Sequence, residues 1–176
     1  MRLSLLLLLA VSLVAIPALA LEEQPLEEST IEFSETRILG AWKDYVDVPK
    51  GALSWDIFAQ TKEKVFSLVD GDGMRSDYAK PDFSTEMKSY DRKTVKMRGY
   101  MFPLDEDEKQ KLFLFGPYPM TCPYHYHVGP SLIVEAHPVK PIKFTYDAIT
   151  LEGTLELVPE DMEYGIFYRL NDAKKK

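Results

Sequence analysis

The chain has a single cysteine, Cys122, and only three histidines and two tryptophans among 176 residues. One thiol cannot form a disulfide within its own chain, so Cys122 is buried, ligating, reactive or paired with another chain. No phosphate-binding glycine loop, G-x-S-x-G or H-E-x-x-H pattern occurs, which removes the commonest catalytic signatures. An excess of positive charge is missing too: 28 acidic residues outnumber 21 basic ones, for a net charge of −7. Such a surface repels phosphate backbones and makes nucleic acid a poor partner. Long apolar runs are absent after the first twenty residues.

Those first residues, "MRLSLLLLLAVSLVAIPALA", place Arg2 before a leucine-rich stretch and end with Ala18 and Ala20 in a small-x-small arrangement. Residues 1–20 are therefore expected to be a signal peptide, cleaved to leave a periplasmic protein beginning at Leu21. No cysteine follows the cleavage point, so no lipid anchor is expected there. Residues 21–50 read as an acidic leader and N-terminal arm, residues 51–173 as one domain, and residues 174–176 as a basic tail.

Within the domain, "SWDIFAQTKEKVF" places Trp55, Phe58, Ala59 and Phe66 near one helical face, with Ser54 as N-cap. Its second half, "KVFSLVD", fits a strand equally well. "DGDGMRSD" lacks the carboxylate spacing of a calcium loop and reads as a hairpin or loop. From Pro81 onward the pattern turns to period two. Val95, Met97, Gly99 and Met101 share one face, as do Leu132, Val134 and Ala136, then Leu151, Gly153, Leu155 and Leu157, then Ile166, Tyr168 and Leu170. With the short apolar "KLFLFG", these give five or six strands, and the expected fold is mainly β: a small antiparallel barrel or sandwich preceded by a helical segment.

The succession "VKMRGYMFPLD", "KLFLFGPYPMTCPYHYH", "SLIVEA", "ITLEGTLEL" and "GIFYRLNDA", with "GALSWDIF" upstream, resembles a family of secreted bacterial proteins of unknown function, DUF3299. The resemblance spans roughly residues 51–173. It implies an oligonucleotide/oligosaccharide-binding (OB)-like barrel of five strands, and a setting beside ABC-type transport systems and periplasmic metal-handling proteins. Fold alone does not fix function.

The chemistry concentrates in "TCPYHYHVGP", residues 121–130. Thiolate and imidazole are the donors zinc prefers. His125 and His127 share a face if the stretch is extended, Cys122 turns in from a proline-bounded bend, and His137 joins if the next strand returns alongside, with Glu135 as a neighbouring oxygen donor. The expected set is thus Cys122, His125, His127 and His137, holding zinc first, or copper(I) with help from Met97, Met101 and Met120. Two other readings stay open: a buried, inert cysteine in a protein-interaction or structural module, and an activated thiol, which lacks a second cysteine or an evident oxyanion hole. Trp42, Tyr45 and Trp55 are the candidate anchors for a periplasmic or membrane transport protein, with packing of the helix on the barrel as the alternative for Trp55. No enzymatic activity is expected.

Overall fold

The computed structural model of the chain describes residues 24–25, 41–69, 71–120 and 128–176. Ten strands follow in order: β1 (Gln24–Pro25), β2 (Lys62–Val69), β3 (Arg75–Asp82), β4 (Thr94–Pro103), β5 (Lys109–Gln110), β6 (Phe113–Gly116), β7 (Val134–Pro138), β8 (Ile142–Lys143), β9 (Ile149–Leu157) and β10 (Tyr168–Lys175). Five of them, β4, β6, β7, β9 and β10, close a barrel in which each is bonded to two neighbours in the cyclic order β4-β6-β7-β10-β9. Numbered along the chain, that ring reads one-two-three-five-four, the connectivity of an OB barrel.

The alternation in the sequence decides which side of each strand faces in. In β4, Val95, Met97, Gly99 and Met101 are buried; in β9, Ile149, Leu151, Gly153 and Leu155 are buried. Inward positions of β6, β7 and β10 add Phe113, Phe115, Val134, Ala136, Tyr168 and Leu170, each fully buried. The interior is therefore packed with side chains. Met97 and Met101 belong to this core.

The ring is mixed rather than antiparallel, because β7 and β10 run parallel, with Glu135 opposite Arg169 and Leu170 opposite Ala136. The expected small OB-like barrel is thus observed, with antiparallel pairing at every contact but this one. An odd number of strands cannot alternate direction all the way around a closed ring.

The N-terminal segment seals one end. Its helix is a single turn, Trp55–Phe58, capped by Ser54 Oγ, which accepts from the Asp56 amide at 3.2 Å. Trp55 packs on Phe58 and Phe115 at centroid distances of 5.0 and 6.1 Å, and Phe58 meets Tyr168 edge-on at 4.9 Å. Of the two readings of "KVFSLVD", the strand is the one that forms. Residues from Lys62 pair along their whole length with β3 in an antiparallel hairpin, which takes up the second half of "SWDIFAQTKEKVF" and residues 75–77 of the expected loop. A second one-turn helix, Thr85–Lys88, capped by Ser84, buries Met87 beside the first.

Two glycines permit the close approach of strands that a narrow barrel needs. β4 pairs with β9 through Gly99 and with β6 from Tyr100 onward, and a Cβ on Gly99 would lie 2.5 Å from the Gly116 carbonyl oxygen. Gly153 of β9 faces the β10 bulge, where a Cβ would come within 2.6 Å of the Asn171 carbonyl oxygen. Because the obstructing atoms are backbone, Gly99→Ala should destabilise the fold by about 2–3 kcal/mol, in the range of an overpacked core. Gly71→Ala, with nothing within 4 Å of the added methyl, should change stability by less than about 1 kcal/mol. Urea unfolding at equal midpoints for the two variants would refute the close-approach argument.

Candidate functional site

With the interior filled, binding chemistry falls to the outer face and the connections. The longest connection within the barrel joins Gly116 at the end of β6 to Val134 at the start of β7. Cys122, His125 and His127 belong to residues 121–127, outside the described residues. Both flanks of that stretch are firmly seated. Tyr118 is 2% exposed and packs edge-on against Tyr45 at 5.3 Å. Burial first, then the neighbouring Tyr45 and Asp44, push its phenol above the ordinary tyrosine range. On the other side Val128 is buried, and Gly129 leads into a 3-10 turn, Pro130–Leu132, with proline at its first position. That turn packs against the Trp55–Phe58 helix.

Ser131 in the turn hydrogen-bonds the carboxylate of Glu63 through its backbone N–H and its hydroxyl. Glu63 lies on β2, so each foot of the connection is fastened to the N-terminal segment, one by an aromatic contact and one by a polar contact. Desolvation outweighs these hydrogen bonds and raises the Glu63 pKa. Nearby, the buried Tyr168 hydroxyl donates to Thr61 Oγ1 at 2.6 Å, and burial holds its phenol far above the usual range. Glu63 was not legible as a special residue: a glutamate between Lys62 and Lys64 on a strand looks like any solvated charge.

His137 is described, on the outer face of β7. Its Nε2 lies 2.7 Å from Glu135 Oε1, as their shared strand face implied. The same Oε1 accepts from Arg169 Nε at 2.9 Å, and Arg169 Nη2 donates to Asp161 Oδ2 at 3.0 Å. Asp161 Oδ1 accepts the amides of Glu163 and Tyr164 at 3.2 and 2.9 Å, which pins the β9–β10 connection to this chain of charges. Glu135 is thus committed to Arg169 as well as to His137. His137 sits three residues along β7 from Val134, about 10 Å from the strand end where the long connection enters. Among the described residues, no group of three or more His, Cys, Asp or Glu side chains is arranged to hold a metal ion.

The three aromatic candidates separate. Trp55 is wholly buried and its Nε1 donates to the Arg98 carbonyl at 2.8 Å, so it is a core residue and is not available to a partner. Trp42 is half-buried on a 3-10 turn, Trp42–Asp44; its Nε1 donates to Asp56 Oδ1 at 3.1 Å, and Lys43 Nζ pairs with Asp56 at 2.9 Å. Lys43, then Trp42 and Ser54, hold the Asp56 carboxyl below its ordinary pKa against a small desolvation penalty. Tyr45 is 37% exposed beside Tyr118, and its carbonyl accepts from Tyr100 Oη at 2.6 Å. Tyr45 is therefore a surface residue next to one foot of the long connection, and Trp42 is a half-buried one beside the Trp55–Phe58 helix.

Residues 42–174, from this turn through most of β10, match a family model described as a protein of unknown function. The chain belongs to the DUF3299 family. Among solved structures it is similar to the crystal structure of a DUF3299 family protein from Pseudomonas aeruginosa PAO1, at 23% identity over 55% of this chain and 67% of that one, with a TM-score of 0.41. No curated protein matches. The DUF3299 match includes the Trp42 turn, Glu63 and all of the barrel but its last residue, so the N-terminal plug belongs to the family unit.

The raised Glu63 pKa has a definite sign. A carboxyl that holds its proton more tightly when folded contributes stability at acid pH and loses it as pH rises above about 4.5, its ordinary value. Glu63→Gln, which still accepts from Ser131, should therefore raise the Tm at pH 7 relative to the wild-type chain and leave it nearly unchanged at pH 4. Calorimetry showing a lower Tm for the variant at pH 7 would mean that Glu63 is favoured as a carboxylate.

Proposed function

We propose that this DUF3299 chain is an exported, non-catalytic accessory protein that captures a transition metal, zinc first, for a periplasmic ABC-type transport or metal-homeostasis system. The observation that carries the reading is the placement of the soft donors. The single thiol and two of the three imidazoles fall within residues 122–127, in a connection whose two flanks, Tyr118 and Val128, are buried against the body of the protein. Anchored flanks fix where the two ends of the stretch lie and so lower the ordering entropy of chelation. Cys122, His125 and His127 supply a thiolate and two imidazoles, a donor set suited to tetrahedral zinc. His137 is the proposed fourth ligand: with Nε2 held by Glu135, Nδ1 is the nitrogen left for a metal, the orientation a carboxylate partner commonly imposes.

A second reading is favoured by Tyr45, exposed beside Tyr118, with Trp42 three residues before it: the same end of the barrel contacts a membrane-bound transporter subunit, with Cys122 buried and inert. In that case Cys122 reacts with a thiol reagent only after unfolding.

Zinc titrated into the reduced chain should bind one to one at micromolar affinity or tighter, and the Cys122→Ala, His125→Ala double variant should lose this binding. His137→Ala should weaken it about 10- to 100-fold if His137 ligates. Absence of binding at micromolar zinc in the reduced wild-type chain would sink the metal reading.

A further inference from the structure

The end of the barrel opposite the long connection carries a cluster of lysines beside the acidic β4–β6 connection with Asp105, Glu106, Asp107 and Glu108. Beyond Pro138 the chain folds back along β10, where the Val139 amide donates to the Ala173 carbonyl at 3.1 Å, and it is tied to the β4–β6 connection by the Phe144 amide donating to Glu108 O at 2.9 Å. An open groove of about 520 Å³ lies between this returning segment and the last residues of β10. Its floor is aliphatic, and Val139 remains 54% exposed. Its rim is Lys140, Lys143, Lys174 and Lys175, and no carboxylate lines it. Lys143 is paired with Glu108 at 2.5 Å. The other three ammonium groups have no ion-pair partner among the described residues.

We propose that this groove docks the protein onto the surface of an anionic phospholipid bilayer. Every polar side chain lining it is an ammonium, which attracts phosphate but selects no sequence, and the remainder is hydrocarbon. The same returning segment carries Tyr146, 72% exposed, an amphipathic ring of the kind that settles at a membrane–water interface. An acidic peptide would also be drawn to the lysines, but it would leave the aliphatic floor without a matching hydrocarbon. The chain as a whole is repelled by an anionic surface at its net charge of −7, so a docked molecule would be oriented by this end. β7 runs from the long connection at Val134 to the groove beyond Pro138, so the stretch holding Cys122, His125 and His127 would join the barrel at the end facing away from the lipid. The contact is peripheral and reversible, and it needs no lipid anchor.

Co-sedimentation of the full chain with vesicles of phosphatidylglycerol and, separately, phosphatidylcholine tests this; the difference between the two cancels any affinity of the apolar first twenty residues for lipid. Preferential binding to phosphatidylglycerol, weakened by 0.5 M salt, is expected. The Lys140→Gln, Lys174→Gln, Lys175→Gln triple variant, altered only at exposed positions, should lower the partition coefficient on the order of a hundredfold, from roughly fivefold per lysine at an anionic surface. Val139→Asp should also weaken binding, whereas Lys62→Gln on the distant hairpin should not. Equal binding to both lipids, an unchanged triple variant, or binding of soluble polyglutamate at the groove without any vesicle preference would overturn the proposal.

Discussion

A closed ring of five strands has to contain one parallel contact, and much of this protein's anatomy follows from where that contact falls. It lies between β7 and β10. Parallel pairing is slightly weaker per residue than antiparallel pairing, and here the ladder is also interrupted by a register shift between Leu170 and Ala173. The side chains along the seam supply what the backbone lacks: on the inside Ala136 and Leu170 are buried, and on the outside Glu135 joins Arg169 and His137. Such partly buried polar contacts on the outside of a barrel contribute modestly one by one. Their geometry matters more, because Asp161 ties the same guanidinium to the β9–β10 connection.

A barrel this narrow is filled by its own side chains, yet its end must still be covered. Trp55 and Phe58 do this from a single helical turn, with Tyr168 and Thr61 satisfying each other's hydroxyls beneath. The N-terminal segment is therefore part of the core. It also reaches both flanks of the long β6–β7 connection, through Tyr45 on one side and Glu63 on the other, so the plug and the chemically richest connection are mechanically joined.

The strands of the barrel were legible in the sequence because each presents one face to the core and one to water, which writes period two directly into the residues. β3 was not, since "RSDYAKPD" is partly exposed on both faces and contains a proline. The end of the helix was left open because Trp55 and Phe58 are spaced for a helix while Val65 and Phe66 serve a hairpin, and only pairing with residues 75–82 decides between them. The direction of β10 relative to β7 depends on a contact between segments more than thirty residues apart, for which local periodicity carries no signal. In the candidate site, the donor chemistry of Cys122, His125 and His127 was readable from residue type and spacing. The commitment of Glu135 to Arg169 was not, because it rests on that same long-range register.

The position of β10 in the ring has a further consequence for how the protein is made. This strand bonds to both β7 and β9, yet it is the last barrel strand along the chain. Without residues 168–175 in place, the other four strands would be an open sheet with two bare edges. Such edges invite pairing with other chains, and contacts between distant segments are slow to form. Ring closure therefore waits on the last barrel strand, and a chain in which β10 has not yet docked is the form most in need of shelter from aggregation.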